Sequence, residues 1–388
     1  MKKNFLILAL ALVAYGLKRY NGYDLDSYFK LSEGVLAGQA LYGKNALSLY
    51  PPAGAYVLEL FQFLPKTWTH IGWFLISIFM FYRMSEIGFS LFPSIKESNG
   101  KKILFYWLSW VAILQGLGAQ LEGGNINLLL MFLIWEGLNT LLRKPKTVKW
   151  LTLGLLLIWL PISFKPYLGL VACGVTIFLL RRFGWKMLVA PMMVGGLMTL
   201  IPALFKGFEA VRLDYVNWLS GDVSYIDCAF TLKCNAVNYG LPSYLYQIHH
   251  WSLATIGIFV VALSGIALIY AFFEKNLIRL SGVLSIITFC ISPASFPYTL
   301  MLLWIPVVSS SYWIIFGERK SHKGIAACAY IFLGAMIFLN PTYLGRTFFN
   351  EVIVYYRVTT FFVLFGFGAL SATIKMAERE RFELSIGY

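Results

Sequence analysis

Two carboxylates near the start of the chain could act as proton acceptors. Asp24 and Asp26 follow the first long apolar segment, within NGYDLDSYFKLSEGVLAG. A carboxylate at a membrane surface is partly desolvated, which raises its pKa and suits it to general-base catalysis. Asp24 and Tyr28 are four residues apart and would share one face of a helix, with Asp26 pointing elsewhere. The alternative is that both acids are solvated loop residues or helix N-caps, where Asp is common.

The composition of the chain indicates the environment of these acids. Of 388 residues, 59% are hydrophobic and 13% are charged, and the mean hydropathy is +0.70. Soluble domains contain about a quarter charged residues, so the composition excludes a water-soluble or disordered protein. The expected class is an all-α, polytopic integral membrane protein. Lys and Arg exceed Asp and Glu by 32 to 18, which in such a protein marks cytoplasmic loops rather than nucleic-acid binding.

The apolar segments predict about twelve transmembrane helices, with ten to thirteen as the range, because roughly 20 apolar residues cross a bilayer. The first segment lacks the small-residue cleavage site of a signal peptide. Segment 53–65 is too short to cross and is predicted to be an interfacial or re-entrant helix. Residues 1–388 are expected to form a single membrane domain. The predicted spans are 4–20, 68–92, 103–118, 126–142, 150–162, 167–181, 187–205, 251–273, 277–291, 298–316, 324–339 and 352–374.

The distribution of charge predicts the orientation of the chain. Alternate loops are short and basic, among them RKPKTVK and GERKSHK, and the remaining loops contain every Asp. Because cytoplasmic loops are enriched in Lys and Arg, both termini and the short tail 375–388 are expected in the cytoplasm. The two long loops, 21–67 and 206–250, are expected outside, and a bacterial plasma (inner) membrane with a periplasmic active site is the expected location.

Several short motifs occur in an order that resembles glycosyltransferase family 87, a branch of the GT-C superfamily of polyprenyl-phosphate-sugar-dependent enzymes. The first loop resembles the family pattern Asp-(Leu/Phe)-x-x-Tyr, Gly-x-x-Leu-Tyr and Tyr-Pro-Pro. The segment from Gly123 to Asn127 resembles Gly-Gln-x-Asn with Gly replacing Gln. The first-loop matches are Asp24-Leu25…Tyr28, Gly38…Leu41-Tyr42 and Tyr50-Pro51-Pro52.

Two later segments extend the resemblance over about residues 1–316. Phe164-Lys165-Pro166-Tyr167 resembles the family's Lys-Pro between two short spans, and Arg181-Arg182…Trp185 follows it. Ser292-Pro293-Ala294-Ser295-Phe296-Pro297-Tyr298 resembles its Ser-Pro…Trp-x-His-Tyr segment. Pro297 takes the place of His in that segment, so any contribution of the family His is absent here.

The resemblance implies a GT-C fold and a mechanism. A hexose, mannose-like as in many relatives, would move from a polyprenyl-phosphate sugar to a glycolipid or lipid-linked acceptor at the outer membrane face. Asp24 would be the general base, with Asp26 as the second candidate, and the reaction would invert the anomeric carbon. The leaving phosphate needs a cation. Lys165 is the first candidate, with snorkelling to headgroups as its alternative, and Arg346 and Arg357 are weaker candidates.

Five polar residues are candidates for binding the sugar or the acceptor. Glu122 and Asn125 lie beside two glycines, where close backbone approach suits sugar hydroxyls, although a turn followed by an Asn cap fits equally well. Lys165 could pair with Glu122 or with Asp24. The full set is Tyr28, Glu122, Asn125, Asn238 and Tyr298.

The sequence predicts no cofactor other than the lipid-linked donor as co-substrate. No Cys/His spacing matches a zinc site, and no metal is expected. Cys228 and Cys234 lie in the second long loop, where a disulfide is one of two open possibilities. The expected partners are the polyprenyl-phosphate sugar, the acceptor and membrane lipid.

Two other classes of protein share features of this sequence. A secondary transporter or flippase also has about twelve spans and both termini inside, but such proteins usually show two similar halves, which this chain lacks. A glycan-assembly protein such as a ligase would need external cationic and aromatic groups, but not the Asp24 motif.

Overall fold

The fold is described from a computed structural model, which covers residues 1–37, 39–42, 50–92, 98–144, 146–219, 240–292, 297–317, 320–338 and 368. Within these ranges every regular element is an α-helix or a short 3-10 helix, which confirms the all-α prediction. The helices are α1 Lys2–Arg19, α2 Tyr23–Leu36, α3 Pro52–Leu58, α4 Lys66–Ser90, α5 Asn99–Val111, α6 Leu114–Gly123, α7 Asn127–Arg143, α8 Val148–Trp159, α9 Gly169–Phe183, α10 Val189–Lys206, α11 Phe208–Leu219, α12 Leu241–His249, α13 Leu253–Phe273, α14 Leu277–Ile291, α15 Trp304–Phe316 and α16 Lys320–Phe338.

Four helical segments of the described chain are long and apolar enough to cross a membrane. A fifth arises if α5 and α6, which meet at a bend of 54°, form one broken span. The predicted number of about twelve spans is therefore not confirmed and stays a prediction. The four segments are Pro166–Phe183, Trp185–Leu204, Leu253–Phe273 and Thr299–Phe316.

The predicted span 103–118 differs from the observed helices. The helix ends at Val111 and a new one begins at Leu114. The chain changes direction between Val111 and Gly118. These residues are apolar or small, so hydropathy alone does not reveal the change of direction. Segment 53–65 is short, as expected, but consists of α3 followed by the 3-10 helix Glu59–Phe63, and most of α3 is buried.

Contacts between Cα atoms divide the chain into two compact units. The first unit contains Met1–Leu10, Ser85–Ala119 and Asn235–Tyr388, and the second contains Ala11–Met84 and Gln120–Cys234. Composition and hydropathy carry no information on such a division, because contacts between distant segments define it. The second unit contains the first-loop motif and the Lys-Pro motif.

Small residues and an ion pair hold the second unit together. A Cβ on Gly137 of α7 would lie 2.6 Å from the carbonyl oxygen of Gly154 in α8, so these helices approach closely, as apolar helices with small residues do. Glu136 accepts hydrogen bonds from Arg83 Nε at 3.1 Å and Nη2 at 2.8 Å, and from Asn139 at 3.2 Å. This acid lies within an apolar helix, and the ion pair compensates its charge.

Aromatic side chains form the interior of the first unit. Trp110 and Trp304 are fully buried, and each meets the Phe89 ring, with centroids 5.8 and 5.6 Å away respectively. The indole N–H of Trp110 donates to Ser85 Oγ at 3.0 Å. The buried indole is thus hydrogen-bonded, as indoles in protein interiors usually are.

Candidate active site

Helix α2 directs the two acids of the first loop to different neighbours. Its buried side chains recur at helical spacing and include Leu25, Tyr28, Phe29 and Ser32. The helix begins at Tyr23, so Asp24 and Asp26 lie in its first turn rather than before it. Residues two apart on a helix point about 160° away from each other, and the two acids consequently have separate environments.

Asp24 lies against the turn between α6 and α7. Its Oδ2 accepts a hydrogen bond of 3.0 Å from Asn125 Nδ2. A Cβ at Gly123 would lie only 2.5 Å from the same oxygen, so the carboxylate occupies the space of a missing side chain. Burial raises the pKa of Asp24 above its ordinary value, while the Asn125 hydrogen bond and the Lys165 charge act in the opposite direction.

The turn that receives Asp24 requires glycine. Gly124 has φ +68°, a left-handed conformation that glycine adopts without steric cost. A Cβ there would also lie 3.1 Å from the Cβ of Leu25. The consecutive glycines therefore allow α2 to lie directly on the turn, with the carboxylate of Asp24 against its backbone.

Asp26 is held by α4. Its Oδ1 accepts from Lys66 Nζ at 2.8 Å and lies 3.2 Å from His70 Nε2. The hydrogen bond from Lys66 lowers the pKa of Asp26. The other ring nitrogen of His70 lies 2.8 Å from the Tyr20 hydroxyl. These contacts connect α2 to α4 and make Asp26 a weaker base than Asp24.

Tyr28 connects three of the sequence motifs. It is 3% exposed, and its hydroxyl accepts a 3.1 Å hydrogen bond from the backbone N–H of Ile126. The same hydroxyl lies 3.1 Å from the hydroxyl of Tyr50. The predicted shared face of Asp24 and Tyr28 is confirmed, because both side chains contact the turn before α7.

Lys165 reaches the same place from the Lys-Pro motif. Its Nζ lies over the Tyr50 ring, 4.9 Å from the centroid, in a cation–π arrangement. Burial lowers the pKa of Lys165 to about 8, while the negative charge of Asp24 acts in the opposite direction. Of the two partners that the sequence allowed, the structure gives electrostatic attraction to Asp24. Glu122 instead accepts hydrogen bonds from other residues.

The Tyr-Pro-Pro and Lys-Pro motifs pack directly on each other. The rings of Tyr50 and Phe164 meet edge to face, with centroids 6.3 Å apart. A Cβ on Gly54 would lie 2.5 Å from the Ser163 carbonyl oxygen. This close approach fixes the start of α3 against the loop that carries Lys165.

Two polar interactions hold the C-terminal end of α3. The Tyr56 hydroxyl donates to Asp214 of α11, and Lys206 Nζ donates to Glu59 at 2.6 Å. Lys206 Nζ also lies 4.5 Å from the centroid of the Tyr56 ring. The beginning of the predicted loop 206–250 is thus helical and is bound to the first loop.

Glu122 fixes the chain between α1 and α2. Its backbone carbonyl accepts from the N–H groups of Asn21 and Gly22, each at 3.0 Å. Its carboxylate accepts from Tyr15 at 3.2 Å and from the Asn21 side chain at 3.4 Å. The prediction that Glu122 binds sugar or acceptor stays a prediction, and its observed contacts hold α2 in place.

Several predicted residues lie outside the described part of the chain. Tyr298 belongs to the 3-10 helix Pro297–Leu303, but its side chain is not among those described. Within the described ranges, no group of three or more His, Cys, Asp or Glu side chains could hold a metal ion. The predicted residues outside these ranges are Gly38, Cys228, Cys234, Asn238, Pro293, Ala294, Ser295, Phe296, Arg346 and Arg357. The predicted span 352–374, apart from Gly368, and the predicted tail 375–388 also lie outside the described residues.

Residues from four separated motifs therefore meet within one unit. A family model described as glycosyltransferase family 87 matches residues 49–293. The chain belongs to glycosyltransferase family 87. No curated protein and no solved structure shows significant similarity to the chain.

Membership of glycosyltransferase family 87 assigns the chain to the glycosyltransferases. The matched range includes Tyr50 and Lys165 but begins after Asp24. The link from Asp24 to the family segment consequently rests on its hydrogen bond with Asn125 and on its electrostatic attraction to Lys165.

Sequence reasoning missed four contributors to this site. Tyr50 was part of a motif without a role, and it contacts both Tyr28 and Lys165. Lys66 and His70 were not connected with Asp26, because nothing in the sequence shows which helices face each other. Asn127 belongs to the glycine-rich motif, and its only signal in the sequence is that it is a polar residue at the start of an apolar helix.

Proposed function

We propose that this glycosyltransferase moves a mannose-like hexose from a polyprenyl-phosphate sugar to a lipid-linked or glycolipid acceptor. The convergence of Asp24 and Lys165 carries the proposal, because one is a desolvated carboxylate and the other a desolvated cation coupled to it. Transfer from a sugar phosphate needs both groups: a base for the acceptor hydroxyl and a positive charge for the leaving phosphate.

Asp24 is the proposed general base. Its carboxylate takes the proton of the acceptor hydroxyl as the hydroxyl oxygen bonds to the anomeric carbon. Its raised pKa favours proton transfer near neutral pH more than that of Asp26, whose pKa is lowered. Asn125 donates to one carboxylate oxygen and so orients the other toward the acceptor.

Lys165 is the proposed cation for the leaving group. As the acceptor oxygen attacks, the bond from the anomeric carbon to the phosphate oxygen breaks and its electron pair stays on polyprenyl phosphate. Among the described residues the Lys165 ammonium has no hydrogen-bond or ion-pair partner, so its three N–H donors can bind phosphate oxygens. Attack opposite the leaving phosphate inverts the anomeric configuration, and no glycosyl-enzyme intermediate forms.

The site is proposed to open to the outer face of a bacterial inner membrane, with both termini cytoplasmic. The short basic loops support this orientation. Arg346 and Arg357 remain candidates for further phosphate contacts, and Asn238 and Tyr298 for contacts with sugar or acceptor. No cofactor or metal ion is proposed, because the carboxylate and the ammonium supply the base and the charge.

The test uses the purified full-length protein in lipid nanodiscs. Polyprenyl-phosphate mannose, glucose and galactose, each labelled in the sugar, are supplied with a lipid extract as the source of acceptor. Appearance of label in a new glycolipid, lost in Asp24→Asn, supports the proposal. Uptake of a labelled sugar or lipid-linked sugar into proteoliposomes, without any transfer, would instead indicate the transporter or flippase.

A further inference from the structure

A buried amide beside the proposed base lacks a hydrogen-bond partner. Asn127 is 1% exposed, and neither its Nδ2 nor its Oδ1 has a hydrogen-bond partner among the described residues. Most buried polar side-chain atoms in proteins are hydrogen-bonded, so an amide with both ends unpaired is exceptional. Asn139 on the same helix shows the usual situation, since its amide donates to Glu136 at 3.2 Å.

The position of Asn127 connects it to Asp24. Its backbone N–H donates to Asn125 Oδ1 at 2.9 Å, and Asn125 Nδ2 donates to Asp24 at 3.0 Å. Asn127 is the first residue of α7, and Cα–Cβ bonds in a helix tilt toward its N-terminus. The Asn127 amide consequently leans toward the end of α7 that carries the Asp24 contacts.

The chemistry of the Asn127 amide restricts which ligand can form hydrogen bonds with both its nitrogen and its oxygen. Nδ2 only donates hydrogen bonds and Oδ1 only accepts them. A phosphate would accept from Nδ2 and leave Oδ1 unpaired, and an ammonium would do the reverse. Two adjacent hydroxyls of a sugar ring satisfy both ends at once, because one accepts from Nδ2 and the other donates to Oδ1.

We propose that Asn127 is a specificity-determining residue that binds two adjacent hydroxyls of the transferred hexose. The inference rests on the proposed function, because the hexose must lie beside Asp24 during transfer. Asn127 would then select donors that carry this pair of hydroxyls. Burial makes the selection strong, since a donor that lacks one hydroxyl leaves part of the amide unpaired.

The experiment compares donors that differ by one hydroxyl. Transfer is measured as kcat/KM for the polyprenyl-phosphate hexose that the wild type uses, and for its 2-, 3-, 4- and 6-deoxy analogues. Wild type is expected to lose roughly 10- to 100-fold with each of two adjacent deoxy positions. Asn127→Leu should lose a similar factor in kcat/KM with the complete donor. Removing either of those two hydroxyls from the donor should then lower kcat/KM of this variant little further. Asn139→Leu is the matched control, and its kcat/KM should fall with the same deoxy analogues, and by the same factors, as that of the wild type.

Four results decide the question. If no two adjacent deoxy positions cost the wild type more than about threefold, the inference is wrong, whether or not any variant folds. If Asn127→Leu loses the same factor with every donor, Asn127 has only a structural role and the inference is equally wrong. Asn127→Ser, with a smaller change in shape, should show the same selective pattern with a smaller loss. Wild type without transfer from any polyprenyl-phosphate hexose contradicts the proposed function itself, which separates the two failures.

Discussion

Gly123→Ala moves the proposed base without removing any functional group. The new Cβ would lie 2.5 Å from Asp24 Oδ2, whereas real Cβ contacts are essentially never under 3.0 Å and ordinary ones begin at 3.4 Å. The carboxylate must therefore shift by about 0.5 to 0.9 Å, given such contact distances. Such a shift also disturbs the 3.0 Å hydrogen bond from Asn125.

The expected loss follows from this displacement. Misplacing a reacting group by about 1 Å can cost 10²-fold in rate, so kcat of Gly123→Ala should fall by roughly 10- to 100-fold. Gly123 is the last residue of a helix, where glycine and alanine differ by less than the ~1 kcal/mol of a helix interior, so the thermal stability of the protein should change little. The loss would therefore come from geometry rather than unfolding.

Gly72→Ala is the matched control. Gly72 is also helical and belongs to the same unit, and its Cβ would have nothing within 4 Å. Labelled-hexose transfer is measured for both variants in nanodiscs, together with their melting temperatures. Wild-type kcat in Gly123→Ala would refute the close contact between Asp24 and the turn. Equal losses in both variants would point to a general effect of alanine in these helices.

Three further predictions concern charge and packing. Activity requires Asp24 ionised and Lys165 protonated. The pH–rate profile should therefore rise through the raised pKa of Asp24 and fall above about pH 8. Lys165→Arg should move the fall in rate to higher pH, because arginine keeps its proton. Gly54→Ala places a Cβ 2.5 Å from the Ser163 carbonyl oxygen and should lower the free energy of unfolding by about 1–3 kcal/mol. An unchanged melting temperature would contradict that packing. Glu136→Gln removes the negative charge that Arg83 Nη2 contacts at 2.8 Å and should destabilise the protein by about 1–3 kcal/mol. Replacing both residues by Met should restore much of the loss, and equal destabilisation in the double variant would refute the pairing.

The sequence predicted the membrane class and the helical character well, because composition and hydropathy report directly on them. It also separated Asp24 from Asp26, since the 100° step of a helix determines which residues share a face. Spacing along one helix is local information, and the contacts of Tyr28 and Asp24 agree with it.

Contacts between distant segments could not be predicted in the same way. The pairing of Asp26 with Lys66 and His70 depends on which side of α4 faces α2, and that of Glu136 with Arg83 depends on the packing of α4 against α7. The break between α5 and α6 is likewise a tertiary feature. The glycines were visible in the sequence, but the side chains that fill their space were not.

The most direct test of the account compares Asp24→Asn with Asp26→Asn. Each change is isosteric and removes one negative charge from the same turn of α2, so general effects on folding are matched. We expect Asp24→Asn to reduce kcat for hexose transfer by ~10²–10⁴-fold, and Asp26→Asn to stay within a few-fold of wild type. Full turnover in Asp24→Asn, or a larger loss in Asp26→Asn, would contradict the assignment of Asp24 as the general base.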